Sequence, residues 1–242
     1  MNLIIEQGNT ATKIAVFNCE EIIFSSVFES FQASDLMQVL KNYPIEKSIL
    51  STVTTYDDEL IALLKKHLAY FICLDEQSRF PISIQYDTPK TLGKDRIAAV
   101  VGANFLQPNR DVLVIDAGTA ITYDMVESTG TFIGGNISPG MTTRFRSLNE
   151  FTKQLPLVHE QEHVPFLGTS TESAILSGVV NGIVFEMDAY ITRLRDKYPE
   201  VFVFLTGGHS FYFERRLKYS IFAAINLVLI GLNRILEYNV ES

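Results

Sequence analysis

The sequence has little of what marks a secreted, disulfide-bonded or membrane-spanning protein. Its two cysteines, Cys19 and Cys73, are read as structural thiols in a chain long enough to bury a substantial core without staples. The first residues contain no basic segment followed by an apolar one, so no secretion signal is predicted. The apolar stretch at 221–232 is shorter than the roughly 20 residues that cross a bilayer. These absences predict a cytoplasmic protein that does not bind membranes.

Positive charge is also scarce. The chain has 20 Lys and Arg against 28 Asp and Glu, which gives a net charge of -8 and a pI near 5.1. Such a field repels a phosphate backbone, and no stripe of Lys and Arg overrides it, so nucleic-acid binding is not expected. A bound phosphate group must then be neutralised locally, by backbone amides, a few cations and a metal ion.

The motifs of several large enzyme families are absent. The sequence has no Walker P-loop, no Gly-x-Gly-x-x-Gly dinucleotide fingerprint and no Gly-x-Ser-x-Gly elbow. Residues 159–163 read His-Glu-Gln-Glu-His, which matches the His-Glu-x-x-His pattern of zinc metalloproteases. Pro156 and Pro165 bracket this stretch and leave little room for the long helix that such a zinc site requires. A solvated loop is therefore predicted there.

What the chain does contain is the balance of a folded protein, with 47% hydrophobic and 20% charged residues. In the first half, short β-branched or aromatic runs alternate with amphipathic helical patterns. The predicted strands are 3–5, 13–17, 21–27, 48–53 and 70–74. The predicted helices begin at Ser34, as a cap, and span 57–68.

The second half repeats the order of the first. Predicted strands are 112–116, 121–126, 131–135 and 201–205, and predicted helices are 139–153, 171–197, 209–218 and 223–238. Residues 3–10 and 113–119 share an apolar strand followed by an acid, any residue, Gly and then Thr, with one residue of slippage. We therefore predict two similar α/β lobes, 1–110 and 111–242, with a cleft between them.

The acid and glycine turns are the first candidates for chemistry. Glu6 ends a predicted strand, and Gly8-Asn9-Thr10 follows with small residues that let backbone amides and a hydroxyl approach a phosphate. One such motif alone is also ordinary turn chemistry. Its recurrence at Asp116 and the Gly-rich turn 206–208 after another predicted strand favour a nucleotide site.

The Gly-x-Asp-Arg segment at 93–96 is the second candidate. A carboxylate such as Asp95 can orient and deprotonate an alcohol, and a guanidinium such as Arg96 can bind a substrate carboxylate in bidentate fashion. Taken by itself, the pair is equally typical of the start of a helix, where an acid interacts favourably with the helix dipole.

Together, these motifs resemble the type III pantothenate kinases of the actin, hexokinase and Hsp70 ATPase superfamily, over nearly the whole chain. The resemblance rests on five motifs in the family's order: Glu6-Gln7-Gly8-Asn9-Thr10, Gly93-Lys94-Asp95-Arg96, Asp116-Ala117-Gly118-Thr119-Ala120, Gly134-Gly135-Asn136-Ile137-Ser138-Pro139-Gly140 and Thr206-Gly207-Gly208. It implies an α/β fold of two duplicated actin-like (ribonuclease H-like) lobes with an interlobe cleft. It also implies ATP-dependent phosphorylation of pantothenate, the first step towards coenzyme A.

The resemblance also implies roles for particular residues. Asp95 would be the general base, Asp116 would hold a monovalent cation, K⁺ or NH₄⁺, and Glu6 would be the candidate ligand of a divalent ion such as Mg²⁺. The residues that would contact ATP are Glu6, Gln7, Gly8, Asn9, Thr10, Lys13 and Thr119. Those that would contact pantothenate are Tyr86, Gly93, Lys94, Arg96 and Thr171. A homodimer that packs through 171–197 is implied as well.

Glu6 departs from the family pattern, which normally has Asp at this position. The additional methylene moves the carboxylate by about 1.5 Å, and Mg²⁺ requires near-ideal octahedral geometry. We therefore expect an active enzyme with an altered metal preference. Two alternatives stay open from the sequence: a non-catalytic relative with a regulatory or binding role, and a kinase for another small hydroxy acid or a sugar.

Overall fold

The computed structural model describes residues 1–53, 57–75 and 77–241. The contacts divide the chain into two compact units. The first contains Met1–Asn109, Thr129–Ile133 and Asn226–Ser242, and the second contains Arg110–Ser128 and Gly134–Ile225. A boundary at residue 110 therefore assigns most residues to the correct unit. The exceptions are Thr129–Ile133 and the C-terminal segment, which group with the first unit.

The first unit is built on a five-stranded sheet with the order β3-β2-β1-β4-β5. Strand β1 is antiparallel to β2 and parallel to β4. The side chains of Leu3, Ile4 and Ile5 are fully buried, which explains the apolar run that predicted β1. In chain order, the elements before residue 110 are β1 (Asn2–Gln7), β2 (Thr12–Asn18), β3 (Glu21–Phe28), α1 (Ala33–Asn42), β4 (Lys47–Thr52), α2 (Asp58–His67), β5 (Tyr70–Cys73), β6 (Ser83–Ile84), a 3-10 turn (Pro89–Thr91) and α3 (Lys94–Leu106).

The caps of the first two helices differ in how well they were predicted. Helix α1 begins after Gln32 and not after Ser34, because the Asp35 carboxylate accepts the Gln32 backbone N–H at 2.9 Å. Helix α2 begins at Asp58, one residue later than predicted, because the Asp57 side chain caps it and accepts the backbone N–H groups of Glu59 and Leu60.

The second unit repeats the strand order of the first. The elements between residues 110 and 226 are β7 (Val112–Ala117), β8 (Ala120–Glu127), β9 (Thr131–Pro139), α4 (Met141–Phe151), α5 (Thr171–Lys197), β10 (Phe202–Thr206), α6 (Ser210–Glu214) and β11 (Phe222–Ala223). All but the first three residues of β9 belong to the second unit. The sheet order is β11-β10-β7-β8-β9-β6, so five of its strands match the order β5-β4-β1-β2-β3. The predicted duplicated α/β fold is thereby confirmed.

The last helix, α7 (Leu227–Val240), packs against α3 in the first unit. Gly102 and Gly231 make this close approach possible, since a Cβ on Gly102 would overlap the Leu227 carbonyl oxygen and one on Gly231 would overlap that of Ala98. Helix α7 begins four residues later than predicted, because Phe222–Ala223 forms β11 and pairs in parallel with β10.

Helix α5 has the predicted bounds and 27 residues. By length and composition it could cross a membrane, but half of the residues in its most apolar window are buried inside the protein. Ile183, Met187 and Ile191 are fully buried along it. This is the pattern of a core helix, and a core helix satisfies the same criteria of length and composition.

Candidate active site

The turn between β1 and β2 carries the first cluster of predicted site residues. Glu6 and Gln7 end β1, Gly8 donates its N–H to the Ala11 carbonyl at 3.0 Å, and Lys13 lies in β2. Glu6 and Lys13 are register partners in the antiparallel pair, and the Lys13 Nζ lies 3.5 Å from the Glu6 Oε2. The local sheet register thus places an ammonium group beside the acid that ends β1.

Glu6 is a half-buried acid in an unusual electrostatic setting. Burial raises the pKa of its carboxyl, Lys13 opposes this rise, and the charge of Asp95 adds to it. The Glu6 Oε2 is buried and has no hydrogen-bond partner, although the Lys13 ion pair is close. A buried acid oxygen that is repelled by the charge of a second carboxylate is an arrangement that a bound cation would stabilise.

The second cluster lies at the start of α3. Gly93 is the N-cap residue, and Lys94, Asp95 and Arg96 form the first turn. The Asp95 Oδ1 accepts the Arg96 backbone N–H at 2.9 Å, which orients the carboxylate. A Cβ on Gly93 would lie 2.5 Å from the same oxygen, so the glycine leaves room for this orientation.

Arg96 is enclosed by aromatic rings, with only 5% of its surface exposed. Its guanidinium carbon lies 5.7 Å from the centroid of the Tyr86 ring and 5.9 Å from that of Phe132. The two rings are 6.0 Å apart. Sequence reasoning selected Tyr86 but missed Phe132, which approaches Tyr86 because β6 pairs with the start of β9. These rings hold the guanidinium by cation–π contact.

The second unit brings together three Gly-rich turns. Gly118 donates its N–H to the Ala120 carbonyl at 3.0 Å, and Gly140 donates to the Thr119 carbonyl at 3.0 Å. Gly207 has φ +90°, and a Cβ there would lie 2.6 Å from the Ala117 carbonyl carbon and would overlap the Asp116 Oδ1. The predicted residue Asp116 thus lies against Gly207, and the exposed Thr119 lies against Gly140. Together they form a backbone-rich surface suited to a phosphate or cation.

Thr171, the remaining predicted residue, is exposed at the first position of α5. It lines a largely apolar cavity of about 660 Å³ in the second unit. The other residues that line this cavity are Arg144, Ser147, Leu148, Leu155, Ala174, Ile175, Gly178 and Val179. The eleven predicted residues numbered below 97 lie in the first unit, and Asp116, Thr119 and Thr171 lie in the second.

The zinc-protease alternative fails on geometry. Residues 159–163 form no helix, and the predicted loop is confirmed. The Arg215 guanidinium lies 3.6 Å from the Glu162 carboxylate, and the Tyr212 hydroxyl donates to the Gln161 carbonyl. Among residues 1–53, 57–75 and 77–241, no group of three or more His, Cys, Asp or Glu is arranged to hold a metal ion.

Comparisons with solved structures support the fold. A Campylobacter jejuni protein described as a Baf family transcriptional activator matches with a TM-score of 0.61 at 22% identity, covering 99% of this chain and 100% of its own. A glucokinase from an Antarctic psychrotroph matches with a TM-score of 0.54 at 11% identity, covering 98% of each chain. The fold is that of the actin-like ATPases and sugar kinases.

Sequence comparisons are more specific. A family model described as type III pantothenate kinase matches residues 2–193. Proteins named type III pantothenate kinase are 47% identical in Phocaeicola vulgatus over 244 residues, covering 99% of each chain, and 43% identical in Porphyromonas gingivalis strain W83 over 242 residues, again covering 99% of each. With its acid and glycine turns at the ends of β1 and β7 and its Gly-x-Asp-Arg turn at α3, the chain belongs to the type III pantothenate kinase family.

Proposed function

We propose that the protein transfers the γ-phosphate of ATP to pantothenate, forming 4'-phosphopantothenate in the cytoplasm as the first step of coenzyme A biosynthesis. The family match over nearly the whole chain supports this reaction. The structural observation that carries it is the first turn of α3, where Asp95 and the buried Arg96 are adjacent. Pantothenate offers a hydroxyl group to one and a carboxylate to the other.

Asp95 is the proposed general base. It lies in the first turn of α3, and the Arg96 backbone N–H orients its carboxylate. An ionised, oriented carboxylate can accept the hydroxyl proton as the oxygen attacks the γ-phosphorus and ADP leaves. Gly93 and Lys94 complete the proposed substrate loop.

Arg96 is the proposed anchor of the pantothenate carboxylate. Its guanidinium is held against Tyr86 and Phe132 and is largely shielded from water, which strengthens a charge-assisted hydrogen bond. Tyr86 would add an apolar wall to the same pocket. Thr171 is a further proposed substrate contact, supported by its place on the rim of the cavity at the start of α5.

Each unit has Gly-rich turns whose backbone and side-chain groups are suited to binding phosphate oxygens. The proposed contacts are Gln7, Gly8, Asn9, Thr10, Lys13 and Thr119. The tight turn closed by the Gly8–Ala11 hydrogen bond supports the contacts proposed for residues 7–13. The close approach of Gly140 to Thr119 supports the contact proposed for Thr119. This local neutralisation is needed in a chain of net charge -8.

The residues at the end of β1 fit a divalent ion. Mg²⁺ is commonly bound through one or two carboxylates together with substrate phosphates, and Glu6 supplies a buried carboxylate oxygen that accepts no hydrogen bond. A bound divalent ion would neutralise charge on the transferred phosphoryl group. Asp116 is the proposed residue for K⁺ or NH₄⁺, supported by its carboxylate packing against the bare backbone of Gly207.

A homodimer is the proposed assembly. Helix α5 carries Phe185 with 57% of its surface exposed, and the segment before it exposes Phe166 and Leu167 at 75% and 76%. The Phe166 carbonyl accepts the Ser177 hydroxyl of α5, so this apolar segment lies against the helix. Exposed aromatic and aliphatic groups on a helix and on the segment packed against it are typical of a protein interface.

The direct test is phosphorylation of pantothenate by the purified protein with ATP, Mg²⁺ and K⁺, compared with the Asp95→Asn variant. We expect the variant to lose at least about 100-fold in kcat, because it lacks the general base. Asp58→Asn is the matched control, since Asp58 is an exposed carboxylate in the first turn of α2. Wild-type inactivity with every cation tried would favour a regulatory role, whereas activity on a sugar and not on pantothenate would indicate a different acceptor.

A further inference from the structure

Glu186, in the middle of α5, gathers hydrogen bonds from neighbouring elements of the second unit. Its carboxylate accepts the Tyr123 hydroxyl of β8 at 2.8 Å, the Ser138 hydroxyl of β9 at 3.2 Å and the Arg144 guanidinium of α4 at 2.6 Å. A single carboxylate of the core helix therefore ties β8, β9 and α4 together. Of these residues, Ser138 belongs to the Gly-rich motif at 134–140, whereas Tyr123, Arg144 and Glu186 belong to none of the motifs described above.

Arg144 extends this network to the turn after β9. Its Nε donates to the Pro139 carbonyl at 2.8 Å, and its Nη2 donates to the Ser138 hydroxyl at 2.8 Å as well as to Glu186. The planar guanidinium has donors in a fixed fork, which lets it bridge a carboxylate and a backbone carbonyl at once. A lysine ammonium lacks this fork.

The turn that Arg144 holds lies directly against Thr119. Gly140 donates its N–H to the Thr119 carbonyl at 3.0 Å, and the Thr143 hydroxyl donates to the same oxygen at 2.7 Å. A Cβ on Gly140 would lie 2.6 Å from that oxygen, so the two segments are in backbone contact. Any shift of the Pro139–Gly140 turn must therefore move Thr119.

The network is well placed to be rigid. The Arg144 and Glu186 side chains are only 21% and 25% exposed, so their ion pair is partly shielded from water. Tyr123 is 2% exposed and its ring stacks 4.2 Å from that of Tyr190. Burial, and then the hydrogen bond to Glu186, raise the pKa of the Tyr123 hydroxyl, so it stays a donor at neutral pH.

We infer that Arg144 and Glu186 are positioning residues for the nucleotide: they fix the Pro139–Gly140 turn, and through it hold Thr119 where it meets ATP. This inference rests on the proposed ATP contact of Thr119. Loss of the clamp weakens ATP binding while leaving the pantothenate contacts of the first unit intact. The clamp acts through Thr119 and does not itself touch the reacting atoms.

The test compares Arg144→Ala, Arg144→Lys and Glu186→Gln by steady-state kinetics and by calorimetric titration with ATP and Mg²⁺. Glu186→Gln still accepts the Tyr123 hydroxyl but loses the ion pair. We expect KM and Kd for ATP to rise about tenfold in Arg144→Ala and Glu186→Gln. KM for pantothenate should change by less than about twofold in Glu186→Gln, because Glu186 is not among the residues that line the cavity beside Thr171. Arg144→Lys should recover part of the loss, and Arg146→Ala, an exposed arginine of the same helix, should match wild type.

The double variant Arg144→Ala with Glu186→Gln adds a second criterion. If the two residues act as one clamp, its Kd for ATP rises no further than that of the worse single variant. An unchanged Kd for ATP in folded single variants, or equal rises in KM for both substrates in Glu186→Gln, would overturn the inference. If the wild type binds ATP but phosphorylates no acceptor, the proposed reaction fails while the calorimetric comparison still decides the role of the clamp.

Discussion

At the scale of single residues, Glu6 is the most informative side chain. It ends β1 beside Lys13, is partly shielded from water, and has a pKa raised by burial and by the charge of Asp95. The positive charge of Lys13 lowers the pKa of Glu6 and so offsets part of the free-energy cost of burying an ionised carboxylate. A cation bound near Glu6 would remove the remaining penalty, because it favours the ionised carboxylate.

The length of the Glu6 side chain leads to a prediction about metal use. Glu6→Asp shortens the side chain by one methylene, so the carboxylate retracts by about 1.5 Å. We expect this variant to need less Mg²⁺ for half-maximal activity relative to Mn²⁺, since Mg²⁺ tolerates imperfect octahedral geometry poorly. A shift of about threefold or more in the ratio of the two activation constants is the expected size, from divalent titrations at saturating ATP. If the Mg²⁺ titration curve of Glu6→Asp matches that of the wild type, and the two Mn²⁺ curves also match each other, the prediction is wrong.

Sequence could predict those candidate site residues that are neighbours along the chain. The Gly-x-Asp-Arg turn and the acid and glycine turns are local patterns, because tight turns and helix starts need particular residues at fixed spacing. Arg144 and Glu186 are 42 residues apart and meet only when α4 packs on α5, so no local pattern marks them. Phe132 was missed for the same reason.

At the scale of elements, strand and helix cores were predictable and several ends were not. Helix α5 has its predicted bounds because Ser170 caps it, accepting the Ser173 N–H. The helix predicted over 209–218 shortens to Ser210–Glu214, and the predicted start of α7 becomes β11. Residues 222–223 are a strand and not the start of α7 because β11 pairs with β10, and such tertiary pairing overrides local helix propensity.

The anchoring of α7 gives a prediction about pH. The Glu237 carboxylate accepts the Asn2 side-chain amide and the Lys47 ammonium, which lies 3.0 Å away. Burial raises the pKa of Glu237, but these two donors outweigh it and the net pKa falls below the usual 4.5. A lowered acid pKa stabilises the fold above pH 4.5, and this contribution is lost as pH falls through the folded-state pKa.

We therefore expect Glu237→Gln to lower the free energy of unfolding by about 1 kcal/mol at pH 7, because the lost ion pair is partly exposed and contributes less than a buried charge-assisted hydrogen bond. The deficit should shrink as the pH falls below 4.5, where the wild-type carboxylate also becomes protonated. Urea unfolding at pH 7 and pH 3.5 measures both values. Glu241→Gln, at the exposed end of the same helix, is the control and should show little effect at either pH. A deficit of the same size at both pH values would contradict the linkage.

At the scale of the whole molecule, the repeated strand order was predictable and the grouping of the C-terminal helix was not. The repeat is visible because each copy starts with an apolar strand, an acid and a glycine turn. Helix α7 groups with the first unit through Gly102 and Gly231, which are separated by more than a hundred residues and permit close helix packing only together. The lobe bounds 1–110 and 111–242 were inferred from the sequence repeat and stay a prediction. The two compact units are defined by contacts and have different bounds.

The proposed dimer can be tested on the exposed apolar residues of α5. Sedimentation equilibrium at micromolar concentration should give twice the chain mass of 27.2 kDa for the wild type. Phe185→Glu should weaken the dimer at least about tenfold, because a charge would be buried unpaired at an aromatic contact. Phe222→Glu is a matched control, since Phe222 is 55% exposed against 57% for Phe185 but lies on β11. A fully active wild type with a mass of 27.2 kDa would contradict the dimer, and equal weakening by both variants would indicate that the interface does not depend on α5 in particular.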